Sequence, residues 1–412
     1  MTDLAWMGHA LASARPQAMS GLLRYFRDLD IAEEAFQEAC LKALSKWPQN
    51  GPPRDPVAWL IFVGRNAAID GVRRRSREEI LPDEAQLLDL DDRETEVVEH
   101  IDAADYRDDV LRLLFICCHP DLPATQQIAL ALRIVSGLSV TQIARAFLVS
   151  ESAMEQRITR AKRRVAVADT SFETPGVNER ASRLAAVTTM LYLLFNEGYS
   201  AAGERDGRAA LCDEAIRLTR LLLGLFKAEP ELMGLLALML LQHARTPARF
   251  EQDGTVILLD DQDRTQWSLS KIDEGLALVD KAIRHRAPGP YQLQAAIAAL
   301  HARATTPADT DWSGIEQLYA TLERMQPSPV ITLNRAVAVS KTAGAQAALD
   351  LVEPLLQPLG GYFHFHGLRG NLLKQLGRIR EARIAFDQAI ALASTAAEAA
   401  HIRAHLDTLT EA

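Results

Sequence analysis

Residues 28–44 read DLDIAEEAFQEACLKAL and residues 53–77 read PRDPVAWLIFVGRNAAIDGVRRRSR, and these two stretches decide the fold class. In the first, Asp30 followed three residues later by Glu33 makes a capping-box-like start to a helix. Ala35, Phe36, Ala39, Cys40, Ala43, Leu44 and Trp47 then recur at helical spacing as one apolar face, with Glu34, Gln37, Glu38 and Lys42 opposite. Pro48 through Pro56, with Gly51 among them, is expected as a loop. Asp55 caps the next helix, with Pro56 at its first position, where a missing N–H costs nothing. Along that helix Asn66, Asp70, Arg73 and Arg77 share a face. Beside Trp59, such a face suits melted DNA, because Arg neutralises phosphate, amides read base edges and aromatics stack; it also reads as a plain solvated face.

Working outward, 412 residues exceed one ordinary domain and call for two or three. A 48% hydrophobic and 24% charged composition, rich in Ala and Leu and poor in aromatics, points to a globular, all-α chain. The longest apolar run, Leu232 to Leu241 between Glu231 and Gln242, is too short for a membrane span and reads as a buried helix. No secretory signal is evident at the start, so a cytoplasmic protein without a membrane partner is expected. Cys40, Cys117, Cys118 and Cys212 form no disulfide framework. Cys117, Cys118 and His119 lack the second ligand pair of a zinc site, so buried small hydrophobes are expected, with no metal and no cofactor.

The net charge of −9 is unevenly spread. Arg54, Arg65, Arg73, Arg74, Arg75 and Arg77 form one basic island; Arg145, Arg157, Arg160, Lys162, Arg163 and Arg164 form another. Between them Glu78 to Asp109 holds fourteen acidic residues against Arg93 and Arg107. Two DNA-contacting modules joined by an acidic tether fit this pattern.

Helical periodicity returns from Tyr106 through Val110, Leu113, Leu114 and Cys117. Helices over 126–135, 139–147 and 150–165 with tight connections make a helix-turn-helix layout. In the last of them Met154, Ile158, Ala161 and Val165 form a seam that leaves Glu155, Gln156, Thr159, Arg160 and Arg163 outward, toward a major groove. Beyond Pro175 and Gly176 the chain reads as helical hairpins. Gly370, Ala382, Phe386 and Ala389 hold the small, small, aromatic, small places of a tetratricopeptide pattern. One repeat length of about 34 residues earlier stand Ala336, Ala348, Val352 and Leu355, and one more reaches Ala302, Gly314, Leu318 and Thr321. Asp260, Asp261, Asp263, Asp309 and Asp311 invite an acid-base or metal reading, but DQDR and DTDW sit where helices should begin, where Asp caps. No Gly-rich phosphate loop, nucleophile elbow or metal-spaced His cluster supports an enzyme.

The strings at 28–44 and 53–77 resemble region two of the extracytoplasmic-function sigma factors, and GLSVTQIARAFLVSESAMEQRITRAKRRV at 137–165 resembles their region four. Gln142 stands for the usual Glu, Leu148 for the turn glycine, Gly64 where Ala is frequent, and Ala39 with Cys40 for a bulky pair. The strings LLFICCHPDL, YLLFNEGYS, LLALMLLQHAR, LLDDQDRTQW and PGPYQLQAAIAALHA are similar to the subgroup with a C-terminal tetratricopeptide-like extension. The resemblance implies region two over 1–77, an acidic linker over 78–105, region four over 106–172 and a regulatory repeat domain over 180–412. It implies core RNA polymerase, through its clamp and flap, and promoter DNA as partners. Glu34, Gln37 and Glu38 would meet polymerase; Arg54, Asp55, Trp59, Arg65, Asn66, Asp70, Arg73 and Arg74 would lie at the melted minus-ten element. Ser152, Glu155, Gln156, Arg157 and Arg160 would face the minus-thirty-five element, with phosphate, guanine and a neighbouring carboxylate all open for the two arginines. The linker would thread toward the RNA exit channel or merely solubilise. The repeat domain, with an unknown protein or small ligand, would act in cis on the sigma modules, and in that subgroup it is needed for activity. The competing reading is a helix-turn-helix regulator or ligand sensor on a repeat scaffold that never binds polymerase; only region two argues against it.

Overall fold

The computed structural model describes residues 5–76, 103–119, 121–147, 149–167, 177–200, 209–251, 257–393 and 396–409. The chain is all-α: among the described residues there is no strand. It divides into two compact units, one of Met1–Leu194 with Asp206–Glu214, the other of Phe195–Arg205 with Ala215–Ala412.

In the first unit α1 (Ala5–Phe26) packs on α2 (Leu29–Asn50), α3 (Pro56–Ser76) and α4 (Ala103–Cys117). Asp28, not Asp30, caps α2: its carboxylate accepts from the Asp30 and Ile31 N–H groups. The helix runs through Pro48 to Asn50, where Gly51 at φ +75° ends it, so the loop is shorter than the prolines suggested. Pro48 lies in the last, exposed turn, where a lost N–H leaves only a carbonyl that water can satisfy. Asp55 caps α3 as expected, accepting from the Val57 and Ala58 N–H groups. At Gly64 a Cβ would stand 2.7 Å from the Ala35 carbonyl oxygen, so glycine here lets α2 and α3 approach at backbone distance.

The remaining helices of this unit are α5 (Ala124–Ile134), α6 (Val140–Ala146) and α7 (Glu151–Val167), with α6 and α5 both packed on α7. Met154, Ile158, Ala161 and Val165 are buried, the seam that the spacing predicts. Ser139 and Gln142 close a full capping box on α6, so Gln142 does the work of the usual Glu. Leu148 and residues 77–102 lie outside the described residues, while 103–105, expected as the end of the acidic linker, belong to α4. Cys117 and Cys118 are buried, and burial pushes the Cys117 thiol up to about 12, which leaves it unreactive.

Helix α8 (Val177–Ser200) and helix α9 (Ala209–Leu225) are shared between the two units. The second unit continues with α10 (Pro230–His243), the buried helix read from Leu232–Leu241, packed on α11 (Leu269–Ile283) and α12 (Pro290–Arg303). From there α13 (Trp312–Met325), α14 (Pro329–Thr342), α15 (Ala345–Val352), the short α16 (Leu356–Leu359), α17 (Phe363–Gln375), α18 (Ile379–Leu392) and α19 (Ala396–Asp407) follow, most of them packed on the next. Ala336, Ala348, Val352, Ala382, Phe386 and Ala389, picked out by the repeat, share one core. The aspartates are structural: Asp263 accepts from Thr265 and Gln266, Asp309 from Thr306, and Asp311 caps α13 at Gly314. Asp260 pairs with Lys341 at 3.1 Å. Arg264 donates to the His301 and Ala304 carbonyls and lies over buried Trp267, so both hold the fold.

Candidate nucleic-acid interface

Helix α2 turns Ala32, Ala35, Phe36, Ala39, Ala43 and Trp47 inward. Glu34, Gln37 and Glu38 stand exposed on the other side. Leu44, assigned to the apolar face by its spacing, is instead 51% exposed, and Leu41 is 60% exposed. Next to the acidic residues these two leucines give the outer face an apolar patch that the sequence reading missed. Leu41, which falls outside the apolar stripe that the spacing defines, was the available signal.

On α3 the expected DNA residues separate. Arg54 is exposed at the loop, and Arg65 is exposed over the Tyr25 ring at 4.7 Å, while Asn66 is half-buried. Asp55 spends its carboxylate on the cap. Trp59 is only 7% exposed and meets Trp47 edge-on at 5.4 Å, so its ring is core and offers no stacking face. The reason is geometric: Trp59 lies one turn into α3, on the side pressed against α2. Asp70, Arg73 and Arg74 lie on α3, but their side chains fall outside the described residues.

The second surface is α7. Ser150 caps it by accepting from the Ala153 N–H, which leaves Ser152 exposed in the first turn. Glu155, Gln156 and Arg160 are exposed on the side away from the seam, and Arg157 is half-buried at its flank. The Arg160 guanidinium rests on the Gln156 carbonyl at 3.2 Å.

Lys162 points elsewhere, and its partners join the two modules. Its ammonium donates to Asp30 at 2.7 Å and to Glu33 at 2.9 Å, both on α2. Glu33 has a side chain only 6% exposed, with Arg133 Nη2 at 2.7 Å from Oε1 and Arg15 Nη2 at 4.0 Å. Oε1 accepts no aligned hydrogen bond, so the pull of Arg133 there is Coulombic. Arg15 also donates to the Ile134 and Arg133 carbonyls at the end of α5, and it covers the Phe36 ring. Burial works against the Lys162 ammonium, but the hydrogen bonds to Asp30 and Glu33 outweigh it and its pKa is raised. Burial lowers that of Arg15, with Glu33 opposing. One carboxylate from the first module is thus shared by three cations, two of them from the second.

Three family descriptions match this chain: sigma-70 region 2 over residues 11–78, sigma-70 region 4 over 112–165, and a family of unknown function (DUF6596) over 183–283. It is 69% identical over 410 residues to the uncharacterized protein R00370 of Rhizobium meliloti (strain 1021), covering 99% of this chain and 97% of that protein.

Proposed function

We propose a function from family membership: the chain belongs to one family with R00370 of Rhizobium meliloti and is a sigma factor by its region 2 and region 4 domains, so it binds core RNA polymerase and directs initiation at specific promoters. Sigma-70 domains of this kind are not enzymes, and no helix among the described residues is long and apolar enough to cross a membrane. The observation that carries the reading is the pair of region matches, each laid on a helix whose outer face is exposed, α2 and α7. Polymerase takes the outer face of α2 through Glu34, Gln37 and Glu38, with Leu41 and Leu44 as apolar anchors. Arg54, Arg65 and Asn66, with Asp70, Arg73 and Arg74 further along α3, track the melted minus-ten strand. Asp55 and Trp59 position that helix. Ser152, Glu155, Gln156, Arg157 and Arg160 face the minus-thirty-five duplex.

The finer reading assigns the C-terminal helices a regulatory role in cis as a tetratricopeptide-like array. The spacing of Ala336, Ala348, Gly370 and Ala382 supports the array, and helical hairpins stacked on their neighbours are a common frame for gripping a helix or peptide. Transcription in vitro with bacterial core polymerase and a template from beside its own gene tests both levels. The full chain should give a discrete start site, and a chain ending after Glu214, which keeps the first unit whole, should give less transcript. Absence of core binding by the full chain, where another sigma factor succeeds, overturns the sigma reading. Equal yield from the shortened chain overturns regulation in cis.

A further inference from the structure

We propose that Tyr25, at the end of α1, is a ring on which a base of the melted promoter strand stacks, set among the cations Arg24, Arg27 and Arg65. The inference rests on the sigma reading for its ligand and on the structure for its parts. A single strand is held by aromatic faces set among cations, because every base has a π face and every nucleotide a phosphate. Trp59 supplies no such face, being core against Trp47. Among the described residues of region 2 two aromatic rings are exposed. Trp6 is stacked on Trp47, whereas Tyr25 is 49% exposed and stands beside α3.

The placement of Tyr25 follows from how α1 packs and ends. Met19, Leu22 and Leu23 are buried and half-buried Phe26 carries the same stripe on, so Tyr25 falls beside the stripe and outside the core. Arg27 then turns into the left-handed region at φ +55°, and its N–H closes on the Leu23 carbonyl, which stops the helix with the ring at its tip. Here α1 runs close along α3: a Cβ at Gly21 would meet the Ile61 side chain, and one at Gly64 would touch Leu22. The next residues bring Tyr25 to Arg65, whose guanidinium lies over the ring at 4.7 Å. Phe26 meets the same ring edge-on at 4.9 Å and helps to fix it. Arg24 and Arg27 are exposed, and Asp28, the acid next in sequence, spends its carboxylate on the α2 cap. Cations around one exposed ring, beside Asn66, complement the phosphates that flank a stacked base.

The test uses the full chain bound to core polymerase and a forked template from the promoter beside its own gene, single-stranded across the minus-ten element. Tyr25→Leu, which keeps an apolar side chain and loses the π face, should weaken binding of the fork by at least about fivefold. Tyr25→Phe and Tyr25→Trp, which keep the face, should stay within about twofold of the native chain or bind more tightly. Affinity for core polymerase alone should be the same for all four proteins. Fork binding by Tyr25→Leu equal to that of the native chain overturns the proposal, and so does a loss as large in Tyr25→Phe and Tyr25→Trp. Weaker core binding by Tyr25→Leu would assign the ring to polymerase and overturns it as well. Failure of the native chain to bind core is the distinct result that removes the sigma reading, and this proposal with it.

Discussion

Both units have apolar cores, and the first adds buried charges to its own. In the second, successive helices meet through Ala336, Ala348, Ala382 and Phe386, none more than 1% exposed. In the first, α4, buried through Val110, Leu111, Leu113 and Leu114, packs on α1 of region 2, and Glu33 and Arg15 of region 2 also meet Arg133 and Lys162 of region 4. Undoing an apolar contact costs about 25 cal/mol for every Å² exposed, with nothing returned. Undoing an ionic one returns hydration to every charge.

The largest effect expected from that contrast is in the second unit. Phe386→Ala should cost about 3–5 kcal/mol, the transfer and cavity terms together, read as a lower denaturant midpoint for the second unit alone. Equal loss from the first unit would break the contrast. Next comes pH. Burial, then the charges of Arg245 and Arg264, hold the His301 imidazole at about 4. Between the ordinary value near 6.5 and about 4 the unfolded chain takes a proton that the folded chain refuses, so stability is complete above that window and lost as pH falls through it. From pH 7.5 to 5 the second unit should lose about 2 kcal/mol through this group, and His301→Gln should reduce the loss. Burial lowers His364 and His405 in the same direction, so part of the slope will remain. Smaller still is Ser139→Ala, which removes one half of the α6 capping box and should cost about 1 kcal/mol in the first unit.

Local signals were legible and distant ones were not. The helices of region 4, the seam from Met154 to Val165, the Asp55 cap and the buried run at Leu232–Leu241 all follow from spacing and caps within one element. The expected start at Asp30 failed because Asp28 offers the same cap two residues earlier. Leu44 was misassigned because helical spacing gives a stripe its direction and not its width. Trp59 read as a DNA-stacking ring because nothing local marks Trp47 as its partner. Glu33 was least legible of all: Lys162 lies 129 residues away, and a carboxylate in a capping-box position gives no sign that three cations will bury it.

The smallest expected effect on stability carries the most information about partners. Leu41 and Leu44 are exposed on α2, so exchanging both for Ser removes little buried area and should change the unfolding free energy of the first unit by no more than about 0.5 kcal/mol. If the outer face of α2 serves only as surface, core polymerase binding should change as little. If it is the polymerase face, the same pair becomes desolvated on binding, and the loss of two leucine anchors at about 1.5 kcal/mol or more each should weaken binding by about a hundredfold. Titration of labelled core polymerase with the double variant, beside its denaturation curve, separates the two outcomes. A hundredfold loss with an unchanged curve separates a binding face on the outside of α2 from the buried core on its inside. Unchanged binding would move the polymerase contact to Glu34, Gln37 and Glu38 alone and leave the apolar patch without a role.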